Sequence, residues 1–139
     1  MKYHNILSLG ILALLATFSL SAQQILEVKV PFSFRVGDTL MPAGGYIVDH
    51  SLKPDVLLVR SADLKYTAAV ITQAVQGKGF PAGGKLVFNR YGENYFLSQV
   101  WRSGYSQGRR LIPTRAEREV ALASRHAGTE SASVSLGRR

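Results

Sequence analysis

Hydrophobic and polar residues alternate strictly along the segment 26–36. Its apolar side chains stand at every second position, with Pro31 or polar residues between them: Leu26, Val28, Val30, Phe32, Phe34 and Val36. Because successive side chains of a strand point to opposite faces, a period of two predicts a half-buried β-strand. Pro31 has no amide proton to donate to a neighbouring strand, so we expect an edge strand or a bulge at that position.

Further short strands follow, separated by turns that contain Gly, Pro or Asp. The pattern predicts strands over 46–50, 56–59, 64–75, 85–90 and 95–101. The continuous apolar run at 56–59 is typical of a strand that is covered on both faces. Together these elements predict an all-β fold, a small antiparallel β-sandwich or barrel-like domain over 23–112, with one short C-terminal helix.

The end signals of that helix lie near the C-terminus. Thr114 and Glu117 have the spacing of a capping box, in which each side chain accepts a hydrogen bond from the other residue's backbone amide. Gly128 follows the last predicted turn, and we therefore place the C-terminal helix within 113–126. Residues 127–139 show no apolar period, which predicts a disordered tail.

Aromatic residues cluster in the last two predicted strands. They are Phe88, Tyr91, Tyr95, Phe96 and Trp101. On paired strands they would form a stacking platform for sugar rings or part of the core. Because aromatic side chains dominate the cores of small β domains, we expect them to be buried.

Residues 1–22 have the layout of a secretory signal peptide. Lys2 provides a positive start, an apolar run covers 6–20, and small residues precede the expected cleavage after Ala22. The run is shorter than the roughly 20 residues needed to span a bilayer, which favours cleavage over a retained anchor. We expect an exported protein, periplasmic or extracellular, with no transmembrane segment after cleavage.

The composition limits the chemistry more than the fold. A chain of 139 residues suffices for one domain, and its lack of Cys excludes a disulfide framework, a cysteine nucleophile and a thiolate metal site. Lys and Arg number 17 against 9 Asp and Glu, which gives a net charge of +8. Removal of Lys2 with the leader lowers that charge by one, so the exported protein remains strongly basic.

Positive charge is concentrated in residues 101–139, which contain Arg but no Lys. The planar guanidinium of Arg binds carboxylate and phosphate groups in a bidentate manner. We therefore predict an anion-binding segment with these residues: Arg102, Arg109, Arg110, Arg115 and Arg118. The alternative interpretation is a solvated surface with an internal pair between Arg115 and Glu119. The expected partner is an anionic envelope component or an acidic protein, and export disfavours nucleic acid.

No local pattern indicates a catalytic or metal site. The chain after residue 22 has two histidines, His50 and His126, and contains neither a Gly-x-Ser-x-Gly elbow nor a Walker motif. We expect no metal and no cofactor, and we favour a non-enzymatic binding or structural module of the cell envelope. Two alternatives are a small extracytoplasmic hydrolase with an unrecognised site among Asp49, His50 and Asp55, and a structural protein that self-associates through the edge strand containing Pro31.

Several motifs are more distinctive than the composition. They are Val30-Pro31-Phe32-Ser33-Phe34, Pro42-Ala43-Gly44-Gly45-Tyr46, the stretch 86–97, Val100-Trp101, Gly108-Arg109 and 113–119. In these motifs the chain resembles an uncharacterised family of small, signal-peptide-bearing secreted proteins that is common in acidobacterial genomes. The resemblance covers most of residues 26–119, although Gly45 stands where Thr is expected. It implies export and a β fold, and it implies no activity or ligand.

Overall fold

The structure, a computed structural model, describes residues 25–80, 83–125 and 130–135. Within these residues there are ten strands and one helix: β1 (Ile25–Val30), β2 (Phe34–Val36), β3 (Thr39–Met41), β4 (Gly44–Lys53), β5 (Val56–Ser61), β6 (Thr67–Gln76), β7 (Lys85–Tyr91), β8 (Asn94–Trp101), β9 (Gln107–Leu111), α1 (Arg115–Ser124) and β10 (Glu130–Ser135). The prediction of an all-β domain with a short C-terminal helix is confirmed. The predicted signal peptide, 1–22, lies outside the described residues.

The strands form two sheets that share β6. In the first sheet, β1 pairs with β4, β4 with β5, and β5 with the first half of β6. The second half of β6 pairs with β9, and the second sheet continues through β8 and β7 to β10. The short strand β2 pairs antiparallel with β3 on one side and parallel with β8 on the other, where Arg35 is the register partner of Phe96. The sheets are therefore mixed, although every other pairing between the described strands is antiparallel.

The strand predicted over 26–36 is divided at Pro31. β1 ends at Val30 and belongs to the first sheet, whereas β2 begins at Phe34 and belongs to the second. Because Pro31 cannot donate to a ladder, the chain leaves the first sheet there and crosses to the other side of the core. That crossing brings β2 alongside β8 in the same direction. β1 lies at the edge of its sheet, as Pro31 predicted.

The core lies between the inner faces of the two sheets. Val30, Leu57, Val59, Leu86 and Phe88 are completely or almost completely buried there. The run 56–59 is not covered equally on its two faces. Leu57 and Val59 point inward, whereas the alternate residues of this strand are only half-buried.

The aromatic cluster is mainly buried, as expected, and Phe88 belongs to the core between the sheets. Phe88, Tyr91, Phe96 and Trp101 are buried. Tyr95 packs at the margin of the core, where its ring stacks on Phe32 with 3.9 Å between the centroids.

The helix begins where the sequence predicted. The Thr114 hydroxyl accepts a hydrogen bond from the Glu117 amide over 3.2 Å, which confirms half of the capping box. The Glu117 carboxylate does not return to the backbone of the cap. It is buried against β7, where it accepts hydrogen bonds from Asn89 Nδ2 and the Tyr91 hydroxyl. Without the carboxylate the buried Tyr91 hydroxyl and the half-buried Asn89 amide would lose this acceptor, so both donors compete for it with the amide of the cap.

Of the segment 127–139, for which the sequence predicted a disordered tail, the structure describes residues 130–135, and these form β10. This strand pairs antiparallel with β7, from Glu130 opposite Arg90 to Ser135 opposite Lys85, and Val134 packs against the core. The free edge of β7 exposes main-chain donors and acceptors, and a segment can pair with them through its own backbone without any regular apolar pattern. No helix in the described ranges is long and apolar enough to cross a bilayer.

Candidate functional site

The predicted anion-binding arginines do not form one patch. Arg102 directly follows β8, Arg109 and Arg110 lie on β9, and Arg115 and Arg118 lie on α1. Neighbouring residues of a strand point to opposite faces. Accordingly, Arg109 is half-buried, whereas Arg110 is exposed.

The two helix arginines are surface residues. Arg115 Nε lies 2.8 Å from Glu119 Oε1, and the two side chains are 88% and 62% exposed. This is the internal pair that the alternative interpretation predicted, and exposed pairs of this kind contribute only about 0–1 kcal/mol. Arg118 is exposed and has no ion pair with any described residue. These side chains therefore contribute mainly to the net positive charge.

Arg109 is fixed in place by Thr72. Its Nε donates to the Thr72 hydroxyl over 2.8 Å, and its NH2 donates to the Thr72 carbonyl over 2.9 Å. The amide and hydroxyl of Thr72 in turn donate to the Asp55 carbonyl over 2.7 and 3.0 Å. Arg109 therefore ties β9 to β6 at the point where β6 passes from one sheet to the other, and its guanidinium has a defined position.

Arg102 has a different environment. Its guanidinium lies over the Tyr105 ring, 4.1 Å from the centroid, in a cation–π contact. Its N–H groups form no hydrogen bond or ion pair within the described residues. It borders a cavity of about 500 Å³ between the beginning of β1 and the loop from β8 to β9, which we call the Arg102 cleft. The cleft is lined by Ile25, Leu26, Arg102, Ser103, Gly104 and Tyr105.

The pKa of His50 is lowered by burial and by the positive charges of Arg102 and Arg109. Burial first, and then the positive charges of these two arginines, lower the pKa of His50 to about 4, while Asp49 has the opposite effect. The imidazole is therefore neutral at pH 7, and its buried Nε2 has no hydrogen-bond partner in the described part of the chain. His50 belongs to an irregular stretch of β4 between Asp49 and Lys53, where bulges re-aim side chains.

The pairing of β1 with β4 links the surroundings of His50 to the Arg102 cleft. Ile25, which lines the cleft, is the register partner of Asp49, the residue before His50. The structure thus brings His50 within the electrostatic influence of Arg102 and Arg109, which lie more than 50 residues later in the chain. Sequence reasoning selected the two arginines and named His50 only within a possible hydrolase site. It missed Ile25 and Leu26, because they approach Arg102 only through long-range strand pairing.

The residues of the hydrolase alternative occupy different settings. Asp49 is buried, whereas Asp55 is exposed in the turn after β4. Asp55 accepts the two hydrogen bonds from Thr72 through its main-chain carbonyl and not through its carboxylate. Neither residue lines the Arg102 cleft, and His50 does not line it either. In the ranges that the structure describes, no group of three His, Cys, Asp or Glu side chains is positioned to hold a metal ion. This geometry adds no support to the hydrolase hypothesis.

No protein-family model matches this chain, and no curated protein or solved structure is significantly similar to it. The arrangement of charge around the Arg102 cleft is therefore the basis for a functional proposal.

Proposed function

We propose that this protein is an exported, non-enzymatic module that binds a carboxylate or phosphate group of an anionic envelope component at the Arg102 cleft. One observation carries the proposal. The Arg102 guanidinium is stacked on Tyr105 at the wall of a cavity of about 500 Å³, and its N–H donors have no partner within the described residues. The contact with the Tyr105 ring restricts the position of the guanidinium, which reduces the conformational entropy lost on binding.

The surroundings of Arg102 favour an anion. Arg109, which is fixed by Thr72 and does not line the cleft, contributes a second positive charge that acts on the same His50 as Arg102 does. The net positive charge, +8 for the full chain and one less without Lys2, attracts anionic surfaces at long range. Ile25, with 47% of its surface exposed, and Leu26 provide apolar surface beside the guanidinium, so a ligand with an apolar part next to its acidic group fits best. Export rests on the layout of residues 1–22 described above.

The first experiment measures retention of the protein without residues 1–22. The probes are vesicles of neutral lipid with and without an anionic phospholipid, insoluble peptidoglycan, and an immobilised acidic polysaccharide, each at low and high ionic strength. We expect retention on one anionic class, weakened by salt, because salt screens exposed charges. A protein that none of these probes retains at low ionic strength would contradict the proposal.

Two matched variants then locate the site. Arg102→Gln and Arg118→Gln each remove one positive charge, the first at the cleft and the second on the exposed face of α1. Charged hydrogen bonds contribute about 1.5–3 kcal/mol, so we expect Arg102→Gln to weaken binding by about tenfold or more, and Arg118→Gln to have little effect. Equal losses for both variants would indicate general charge attraction and would overturn the assignment to the cleft.

A further inference from the structure

Strand β1 is the open edge of the first sheet. It pairs with β4 along one side, and no other described strand pairs with its second side. Such an edge presents unpaired main-chain donors and acceptors to any strand that approaches it. Val28 and Val30 point into the core, whereas Glu27 and Lys29 are exposed on the opposite face.

The two exposed charges are self-complementary. In an antiparallel pair of β1 strands related by a two-fold axis at Val28, Glu27 of each copy lies directly opposite Lys29 of the other. Opposite charges in such cross-strand pairs are stabilising, and like charges are destabilising. Moving the axis by one residue to either side would place Glu27 opposite Glu27, or Lys29 opposite Lys29. The charges therefore favour one register.

The inner face and Pro31 agree with the same register. Leu26 of one copy lies opposite Val30 of the other, which extends the apolar inner surface across the junction. Pro31 lies opposite Ile25, beyond the central pairs of the ladder. The missing amide proton of Pro31 disrupts the inter-strand hydrogen bonds least at that position. The ladder thus uses the regular part of β1 and ends at the residue that cannot continue it.

We propose that two copies of this protein associate through antiparallel pairing of their β1 strands about Val28. Each copy supplies half of a continuous sheet with the order β6-β5-β4-β1-β1-β4-β5-β6. Each copy contributes one strand of six residues to this ladder. Because the interface is small, the dimer is reversible rather than permanent. This inference rests on the edge of β1 and not on Arg102, although Ile25 and Leu26 at the start of β1 also line the Arg102 cleft.

The test is the mass of the protein in solution. Sedimentation equilibrium of the chain without residues 1–22, from about 1 μM to about 1 mM, should show a mass that rises from monomer toward dimer. Glu27→Lys and Lys29→Glu each create two like-charged pairs and should weaken the dimer by about tenfold or more. The double variant, Glu27→Lys with Lys29→Glu, restores both opposite-charge pairs and should restore dimerisation.

A charge reversal away from the edge is the matched control. Glu119→Lys changes an exposed residue of α1 and should leave the dissociation constant unchanged. Circular dichroism of each variant confirms that the β fold is retained. A protein that is monomeric throughout the concentration range overturns the proposal. So does a double variant that fails to dimerise, or a Glu119→Lys variant that dimerises as poorly as Glu27→Lys. None of these outcomes depends on whether an anion binds to the cleft.

Discussion

The amide of Asn89 donates a hydrogen bond to the carboxylate of Glu117 over 2.9 Å and so joins β7 to the first turn of α1. The Tyr91 hydroxyl donates to the same carboxylate oxygen over 3.3 Å. Glu117 is the buried residue of a helix whose other side chains are exposed or half-buried. The docking of this short helix therefore depends on the buried Glu117 carboxylate more than on its apolar side chains, none of which is buried.

Removal of the Glu117 carboxylate should destabilise the whole domain. Glu117→Ala leaves the donors of Asn89 and Tyr91 unpaired at a buried site, and we expect the free energy of unfolding to fall by about 1–3 kcal/mol. Glu119→Ala removes an exposed carboxylate from the same helix and should change that free energy by no more than about 0.5 kcal/mol. Urea denaturation measures both, and equal effects would show that the buried contact does not stabilise the fold.

The low pKa of His50 predicts a loss of stability in acid. The unfolded chain binds a proton on His50 near its ordinary pKa of 6.5, whereas the folded chain does so only near 4. Stability from this residue is therefore fully present above pH 6.5 and decreases as the pH falls toward 4. Urea denaturation from about pH 7.5 to about pH 4.5 should show a steeper decrease for the native sequence than for His50→Gln. Parallel curves would contradict this assignment.

The charge of Arg102 should be visible in the titration of His50. Its guanidinium lowers the pKa of His50, so Arg102→Gln should raise that pKa toward 6.5. Nuclear magnetic resonance of the imidazole protons measures the pKa directly, and the His50→Gln spectrum identifies the signal. Arg118→Gln, which removes an equal charge from α1, should leave the pKa unchanged. A shift in both variants would show that net charge, rather than the nearby guanidinium, sets this pKa.

Trp101 packs against the backbone of Gly108 so closely that a larger residue does not fit. A Cβ at this glycine would lie 2.7 Å from the indole ring, which forces the ring or β9 to move. We expect Gly108→Ala to lower the free energy of unfolding by about 1–3 kcal/mol, as overpacking does. Because the chain contains one Trp, the fluorescence spectrum reports the displacement of this ring.

Gly79→Ala is the control for this substitution. No atom lies within 4 Å of a Cβ built at Gly79, so the change should be close to neutral. An unchanged fluorescence spectrum together with an unchanged free energy of unfolding in Gly108→Ala would contradict the close packing of Trp101 on β9.

The sequence predicted the features that depend on near neighbours. Alternation identified the inward face of 26–36 correctly, and the Thr114–Glu117 spacing located the beginning of α1. Alternation does not report which sheet a strand joins, so the crossing at Pro31 was not foreseen. β10 was missed for a related reason, since its pairing is determined by the free edge of β7 and not by its own pattern.

The candidate site was predictable only in part. The concentration of Arg near the C-terminus identified Arg102 and Arg109, but it gave the same weight to Arg115, which pairs with its helical neighbour Glu119. Tyr105 and Ile25 reach Arg102 through a loop and a distant strand end. The proximity of Ile25 depends on the register of β1 against β4, which composition does not contain.

Strand β6 has a consequence for how the molecule unfolds. Residues 67–71 are bonded to β5 and residues 72–76 to β9, so one continuous segment of backbone belongs to both sheets. Neither sheet can open fully without breaking a ladder at the Thr72 junction, where Arg109 also binds. The two sheets should therefore melt in a single cooperative step, and the amide protons at the centre of β6 should exchange with solvent only when the entire domain unfolds.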